Sequence, residues 1–139
     1  MASDSVCSAK QLHHVCIVVK DIQETLDFYK DVFGTPDVEI ENIADQGVRA
    51  ALVQIGSSNI EFIEPVDQSG SIAKFLERRG EGMHHICLEV ENLKQKLGAL
   101  TDKGLDLIDK TPRKGLVGNI AFIHPKSTRG VLIELIEQS

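Results

Sequence analysis

Two pairs of adjacent histidines open two similar apolar runs in this chain of 139 residues. His13 and His14 stand in LHHVCIVV, and His84 and His85 stand in MHHICLEV, 71 residues further along. The runs have the pattern of β-strands, in which adjacent side chains point to opposite faces. Only one histidine of each pair can therefore enter a cavity. We expect His14 and His85 to be the histidines that enter a cavity. The residues that alternate with them in each run are apolar, and a helix layer would cover them.

Two glutamates recur in the same way, at offset 73. Glu61 lies in IEFIE and Glu134 lies in IELIE. Apolar residues flank each glutamate on both sides, which indicates a strand covered on both faces. A buried carboxylate is costly unless it is paired or bound to a cation. For either glutamate alone, an outward position at a sheet edge is an equal alternative, but the repetition of both favours a function.

Two imidazoles and two carboxylates form a mixed nitrogen and oxygen ligand set. Such a set suits Zn, Mn, Co, Ni or Fe(II) better than Ca or Mg, which prefer oxygen ligands. Cys16 and Cys87 share the parity of the inward histidines, and we expect them to be small buried apolar residues rather than thiolate ligands. The residue types therefore predict a divalent metal site with four candidate ligands, namely His14, Glu61, His85 and Glu134.

The elements that would carry these residues are also repeated. A helix should follow each histidine run, because Asp21 with Glu24 and Asn92 with Gln95 have the spacing of capping boxes. The apolar stripes of the two helices are Ile22, Leu26, Tyr29 and Phe33, and then Leu93, Leu97 and Leu100, with Gly34 and Gly104 as the stop residues.

The remaining strand-like runs complete a β-α-β-β-β pattern in each half, which predicts an α+β fold of two tandem modules in one domain. Module 1 spans about residues 11–65, a linking helix spans about 71–80 with Ile72–Arg79 as its core, and module 2 spans about 82–137. The predicted strands after the helices are Asp37–Glu41, Arg49–Ile55, Asn59–Glu64, Leu105–Asp109, Asn119–His124 and Gly130–Glu137.

Composition restricts the function classes. The chain is 42% hydrophobic and 26% charged with a formal net charge of −6, which argues against nucleic acid and anionic membranes as partners. Three cysteines without a framework spacing are typical of a reducing compartment. MASDSVCSAK has no apolar region of a secretory signal, so a cytoplasmic location is expected, although an organellar transit peptide removed earlier is also compatible.

The paired motifs identify a resemblance. The stretches GMHHICLEVENL (Gly82–Leu93) and HPKSTRGVLIEL (His124–Leu135), with the paired modules, resemble the vicinal oxygen chelate superfamily, which includes glyoxalases, bleomycin resistance proteins and dioxygenases. Within it they are most similar to the methylmalonyl-CoA epimerase family. The resemblance covers about residues 11–137 and implies two modules whose cupped mixed sheets surround a divalent metal, with cobalt commonly used in assays.

The resemblance also implies site residues and a reaction. The metal ligands fall on His14, His85 and Glu134, with a fourth on Glu61, where some epimerases have Gln and glyoxalase I has Glu. The implied reaction interconverts the (2R) and (2S) forms of an acyl-CoA thioester by 1,1-proton transfer through a metal-stabilised enolate, in a protein that is usually a homodimer. Glu134 and Glu61 are the candidate acid/base residues.

One position departs from the family pattern. Some epimerases have a catalytic Glu three residues after the glycine that corresponds to Gly47, and this chain has Ala50 there. The second acid/base group is therefore not evident from the resemblance. For an anionic CoA substrate, Lys114, Lys126 and Arg129 are the candidate contacts, in a basic cluster that also includes Lys110 and Arg113. Ordinary solvated side chains are the alternative for this cluster.

Two other functions are compatible with the same ligands. A glyoxalase I-type lactoylglutathione lyase would use the same His and Glu set, and a sequestering protein of this fold would bind a ligand without turnover. An extradiol dioxygenase is less compatible, because its two His and one carboxylate would leave Glu61 surplus.

Overall fold

The computed structural model describes residues 5–138. The first four residues, part of the N-terminal stretch interpreted above as lacking a secretory signal, lie outside this range. None of the helices within residues 5–138 has the length and hydropathy of a membrane span.

The chain folds as the repeated pattern predicts, with β-α-β-β-β in each half and one helix between them. Two short 3-10 helices, Ala44–Gln46 and Pro125–Ser127, precede β3 and follow β7. The elements are β1 Gln11–Val18, α1 Ile22–Phe33, β2 Glu41–Ile43, β3 Val48–Ile55, β4 Ser58–Pro65, α2 Ser71–Arg79, β5 Gly82–Glu89, α3 Leu93–Asp102, β6 Arg113–Lys114, β7 Asn119–Ile123 and β8 Ile133–Glu137.

The described residues group into two compact units. The first-half unit comprises residues 14–84, and the second-half unit comprises residues up to 13 together with those from 85 onward. In the first-half unit the strand order is β2-β3-β4-β1, with β1 parallel to β4 and the other neighbours antiparallel. In the second-half unit the order is β5-β8-β7-β6, and β5 is parallel to β8.

Each helix of the repeat buries its apolar stripe on one sheet face. Ile22 and Leu26 of α1 pack with Phe62 and Val53. The leucines of α3, namely Leu93, Leu97 and Leu100, are buried against Ala121, Ile123 and Leu135. The stripe predicted for α1 is wrong at its end, because Phe33 is 66% exposed.

The opposite face of the first-half sheet carries α2. Phe75 and Leu76 of this helix pack against a cluster that contains Val18, Ala50 and Ile63. The linking helix predicted from sequence is therefore confirmed, and it covers one end of the face that α1 leaves open.

Three predicted strands differ from the observed ones. Within Asp37–Glu41 only Glu41 pairs, with Ala50 of β3, and the side chain of Asp37 accepts a hydrogen bond from Lys30. Leu105–Asp109 makes only an isolated bridge at Leu107, and the strand in its place is Arg113–Lys114. The reason is that the carboxylate of Asp109 accepts the backbone N–H of Phe122, a group that a ladder would otherwise use. The last strand begins at Ile133 rather than at Gly130.

Candidate metal and acid/base site

Strand register in the first-half unit places His14 and Glu61 on one sheet face. Cys16 is paired with Glu61 across β1 and β4, and His14 shares its face because side chains alternate along a strand. Phe62, the next residue of β4, points to the other face and packs beneath α1. His14 therefore lies on the sheet face opposite α1, as the parity predicts.

The side chains of His14 and Glu61 approach each other on this face. Nε2 of His14 lies 3.6 Å from Oε1 of Glu61, and the two side chains are 5% and 14% exposed. The pair can present one imidazole nitrogen and one carboxylate oxygen to a common point.

The second-half unit repeats the arrangement with His85 and Glu134. Nε2 of His85 lies 3.1 Å from Oε1 of Glu134, and both side chains are less than 10% exposed. Cys87 is paired with Glu134 across β5 and β8, and Phe122 is paired with Glu134 across β7 and β8. The ring of Phe122 packs edge-on against the imidazole of His85, with centroids 5.1 Å apart.

The donor chemistry of the two pairs fits a divalent metal. A buried carboxylate loses its hydration, and that cost is recovered only by good hydrogen bonds or by a cation. Imidazole nitrogen and carboxylate oxygen are first-choice ligands of zinc, manganese, cobalt and nickel. Each unit by itself supplies one buried imidazole and one carboxylate, which is buried for Glu134 and partly buried for Glu61.

The neighbouring histidines have other contacts, as parity predicts. His13 is buried, and its Nε2 lies 3.2 Å from the side-chain Nε2 of Gln138. The ring of His84 packs edge-on against Phe75, with centroids 4.9 Å apart. Each pair of histidines thus has one member beside a glutamate and one member with other contacts.

The two buried cysteines lie among apolar residues, and their role stays a prediction. Cys16 is fully buried in the cluster beneath α2. Cys87 is fully buried with Ile120 and Ile136, and Phe122 packs beside them. Both thiols lie on the same sheet faces as the glutamates.

Sequence reasoning missed the second glutamate of each IE-x-IE motif. Oε2 of Glu64 accepts the backbone N–H of Ile22, the first residue of α1, at 2.9 Å. Oε1 of Glu137 accepts the N–H of Leu93, the first residue of α3, at 3.1 Å. The spacing of the two glutamates could have indicated separate roles, because residues three apart on a strand point to opposite faces. One glutamate of each motif therefore joins a histidine, and the other caps a helix.

The prediction that Asn92 caps α3 is wrong for this reason. Asn92 has a positive φ of 49° and makes no side-chain capping bond, so the carboxylate of Glu137 takes that position. The corresponding prediction for α1 is confirmed, since the side chain of Asp21 accepts the N–H of Glu24 at 3.0 Å.

Ala50 lies where the family resemblance suggested an acid/base residue. Its side chain is fully buried in the cluster beneath α2, and strand register pairs it with Ile63 on β4 and with Glu41 on β2. The face that carries His14 and Glu61 therefore has a methyl group at this position.

The basic cluster of the second half is distributed over both faces of its sheet. Lys114 is paired with Asn119, so it lies on the α3 side of the sheet, whereas Arg113 is paired with Ile120 on the opposite side. Nζ of Lys126 lies 3.6 Å from Asp106 and is largely exposed. Arg129 is exposed with a positive φ of 61°. Substrate binding by Lys114, Lys126 and Arg129 stays a prediction.

Comparison with known proteins gives one consistent family. The family model described as Glyoxalase/Bleomycin resistance protein/Dioxygenase superfamily matches residues 13–123. A mitochondrial methylmalonyl-CoA epimerase of Dictyostelium discoideum is 38% identical over 130 residues, which cover 92% of this chain and 78% of the relative.

Solved structures agree with the sequence comparison. The methylmalonyl-CoA epimerase of Mycobacterium tuberculosis superposes with a TM-score of 0.89 at 37% identity, over 100% of this chain and 93% of the other. A methylmalonyl-CoA epimerase in complex with methylmalonyl-CoA and NH4+ has a TM-score of 0.88 at 32% identity, over 95% and 96% of the two chains.

Proposed function

Because the chain belongs to the Glyoxalase/Bleomycin resistance protein/Dioxygenase superfamily, we propose that it is a metal-dependent methylmalonyl-CoA epimerase. The observation that carries the proposal is the repeated histidine–glutamate pair, largely removed from solvent in each unit at matching positions of the repeat. The similarity of the whole chain to epimerases, one of them bound to methylmalonyl-CoA, supports the reaction and the substrate.

The four residues His14, Glu61, His85 and Glu134 would hold the metal. Their imidazole and carboxylate groups favour cobalt, manganese, zinc or nickel over calcium and magnesium. When bound, a divalent ion acts as a Lewis acid that stabilises negative charge on a substrate carbonyl oxygen. Burial of His14, His85 and Glu134 limits their contact with water, and Glu61 is partly exposed.

Epimerisation requires removal of the C2 proton on one face of the substrate and its return on the other. Glu61 and Glu134 are the candidate proton carriers. Glu61 is better suited to move a proton, because its carboxylate is the more exposed of the two and lies farther from its histidine. Glu134 is held at hydrogen-bond distance from His85, which favours a fixed position.

The role of Glu61 can be tested with (2R)- and (2S)-methylmalonyl-CoA. The variant Glu61→Gln keeps the shape of the side chain and removes its capacity as a base. We expect deuterium exchange at C2 to slow about 100-fold or more, the usual contribution of an acid/base group. Unchanged exchange in this variant would show that Glu61 is not a base.

One observation favours a second candidate function. The set of two histidines and two glutamates, with Glu rather than Gln at position 61, is also the pattern implied for a glyoxalase I-type lactoylglutathione lyase. A parallel assay for lactoylglutathione formation from the glutathione hemithioacetal separates the two. Binding of both substrates without turnover of either would instead indicate a sequestering protein.

An acyl-CoA substrate needs anion-binding groups on an acidic protein. We propose Lys114, Lys126 and Arg129 as contacts of the CoA phosphates. Phosphate contacts by exposed lysine and arginine weaken with added salt. The KM for the acyl-CoA should therefore rise with ionic strength, and it should rise less in a Lys126→Gln variant.

A homodimer is the assembly that the family resemblance implies. Three apolar side chains on α1, those of Phe28, Val32 and Phe33, are each more than half exposed. Aromatic residues are enriched in the cores of interfaces. In sedimentation velocity, Phe28→Glu should weaken the dimer, whereas Ile108→Glu, at an exposed apolar residue elsewhere, should not. A monomeric parent protein would contradict the proposal.

We also propose a cytoplasmic location, supported by the cysteine usage of the sequence. Fractionation of cells that express the full chain tests it, and recovery in an organellar fraction would overturn it.

A further inference from the structure

The second-half unit contains an arginine, Arg113, that is neither a candidate metal ligand nor part of a helix. Arg113 lies on β6 and is paired with Ile120 on β7, which is paired with Ile136 on β8. Because residues paired across neighbouring strands share a face, Arg113 lies on the same face as Phe122 and Glu134. Its neighbour Lys114 lies on the opposite face.

Arg113 is held in place by two contacts. Its Cζ lies 5.5 Å from the centroid of the Phe122 ring, a cation–π distance. Its Nε donates to Oδ1 of Asp109 at 3.1 Å, and Oδ2 of Asp109 accepts the backbone N–H of Phe122 at 2.8 Å. The carboxylate of Asp109 thus ties the guanidinium to the residue on which it stacks.

The same phenyl ring contacts the candidate metal ligand. Phe122 packs against His85 at 5.1 Å, so one aromatic ring separates the guanidinium from the imidazole. The side chain of Arg113 remains 47% exposed, whereas that of Asp109 is 16% exposed. A guanidinium has five donors, and the Asp109 contact uses its Nε. The terminal nitrogens keep donor positions beyond that contact.

We propose that Arg113 binds an anionic oxygen group of the acyl-CoA substrate and so contributes to its selection. This inference rests on the proposed function. The planar fork of arginine matches carboxylate and phosphate oxygens, and stacking on Phe122 with the bond to Asp109 fixes the fork in advance. The acyl carboxylate is the first expectation, because it is attached to the carbon that reacts near His85. A CoA phosphate has the same chemistry.

The test compares Arg113→Gln with Arg79→Gln in the metal-replete protein. Arg79 is a matched control, since it also stacks on a phenylalanine, with its Cζ 5.8 Å from the centroid of the Phe75 ring. Affinity for methylmalonyl-CoA is measured by calorimetry and does not depend on turnover. We expect Arg113→Gln to weaken binding about 10- to 100-fold, as for loss of a charged hydrogen bond, and Arg79→Gln to change it less than about 2-fold.

Propionyl-CoA, which lacks the carboxylate, separates the two anion sources. If Arg113→Gln leaves the affinity for propionyl-CoA unchanged, the bound group is the acyl carboxylate. If it weakens both ligands equally, the group is a CoA phosphate. Equal affinities of Arg113→Gln and the parent protein for both ligands would overturn the inference.

Two further results keep the outcome clear. Arg113→Lys retains charge without the fork and should bind with intermediate affinity, so it replaces Arg113→Gln if that variant unfolds. If the parent protein binds methylmalonyl-CoA without turning it over, the proposed function fails while the inference stands. If the parent protein does not bind the ligand, both fail.

Discussion

At the scale of single residues, the candidate metal ligands form two histidine–glutamate pairs, and the histidines next to them have other contacts. His14 and His85 approach carboxylates, whereas His84 packs on Phe75. The period of two along a strand accounts for this division. Sequence alone could therefore predict which histidine of each pair lies on the sheet face opposite its helix.

The adjacent histidines of β5 give a direct test of metal binding. We expect His85→Ala to weaken metal binding by more than the roughly 10- to 100-fold cost of losing an outer-shell partner, because it removes a ligand itself. His84→Ala should keep the metal content of the parent protein. Metal content after dialysis, measured by inductively coupled plasma mass spectrometry, checks both. Equal losses in the two variants would contradict the assignment.

The stability of the folded protein should depend on pH through Glu89, which is not one of the paired glutamates. Gln11 donates a hydrogen bond to its carboxylate at 2.9 Å, and Lys10 lies 3.4 Å away. The Gln11 bond, followed by Lys10, lowers the pKa of Glu89 below its ordinary value of 4.5. A lowered pKa in the folded state stabilises the protein above the unfolded-state pKa, and this stabilisation is lost as the pH falls through the folded-state value.

Urea unfolding at pH 7 and about pH 3.5 tests this linkage. The parent protein should lose more of its free energy of unfolding between these pH values than Glu89→Gln does, since the variant lacks the ionisable group. Glu39→Gln, at an exposed glutamate, should follow the parent profile. A Glu89→Gln profile parallel to that of the parent would contradict the linkage.

At the scale of elements, the repeat determines more than the order of strands and helices. The closing strands β4 and β8 each carry one glutamate toward a histidine and one toward the first backbone N–H of a helix. A carboxylate at a helix N-terminus satisfies an orphan donor and interacts favourably with the helix dipole. Because of the spacing of the two glutamates, each closing strand contacts a histidine on one sheet face and a helix on the other.

The capping role of Glu137 predicts a stability change. We expect Glu137→Ala to lower the free energy of unfolding by about 1 kcal/mol, the usual value of a helix cap. Asn92→Gly keeps the positive φ at the helix start and removes only a side chain that makes no capping bond. It should change the free energy by less than about 0.5 kcal/mol. Denaturant unfolding measures both, and a larger loss in Asn92→Gly would restore Asn92 as the cap.

The elements that sequence reasoning missed depend on contacts between distant residues. The apolar alternation of Leu105–Asp109 resembles a strand, but the side chain of Asp109 bonds the backbone of Phe122 instead. Asn92 has the residue type of a cap and yields to a carboxylate 45 positions away, at Glu137. Local patterns predicted the regular strands and helices, because there the hydrophobic period alone determines which face is buried.

At the scale of the whole molecule, the two units repeat the same arrangement of elements. Each has a mixed four-stranded sheet, a helix that buries an apolar stripe on one face, and a histidine–glutamate pair on the other. The family and its fold were recognisable from the duplicated motifs. The alanine at position 50, where the resemblance implied a glutamate in some epimerases, was also visible, but its packing was not, since that involves residues of α2 and of other strands.

Deuterium exchange at C2 of methylmalonyl-CoA tests the proposed function most directly. The protein, loaded with cobalt or manganese, is incubated with the thioester in D2O, and the product is analysed by mass spectrometry. We predict incorporation of a single deuterium at C2 and loss of that activity on chelation, with recovery when the metal is restored. Absence of exchange in the metal-loaded protein, with lactoylglutathione formed in the parallel assay, would contradict the epimerase function.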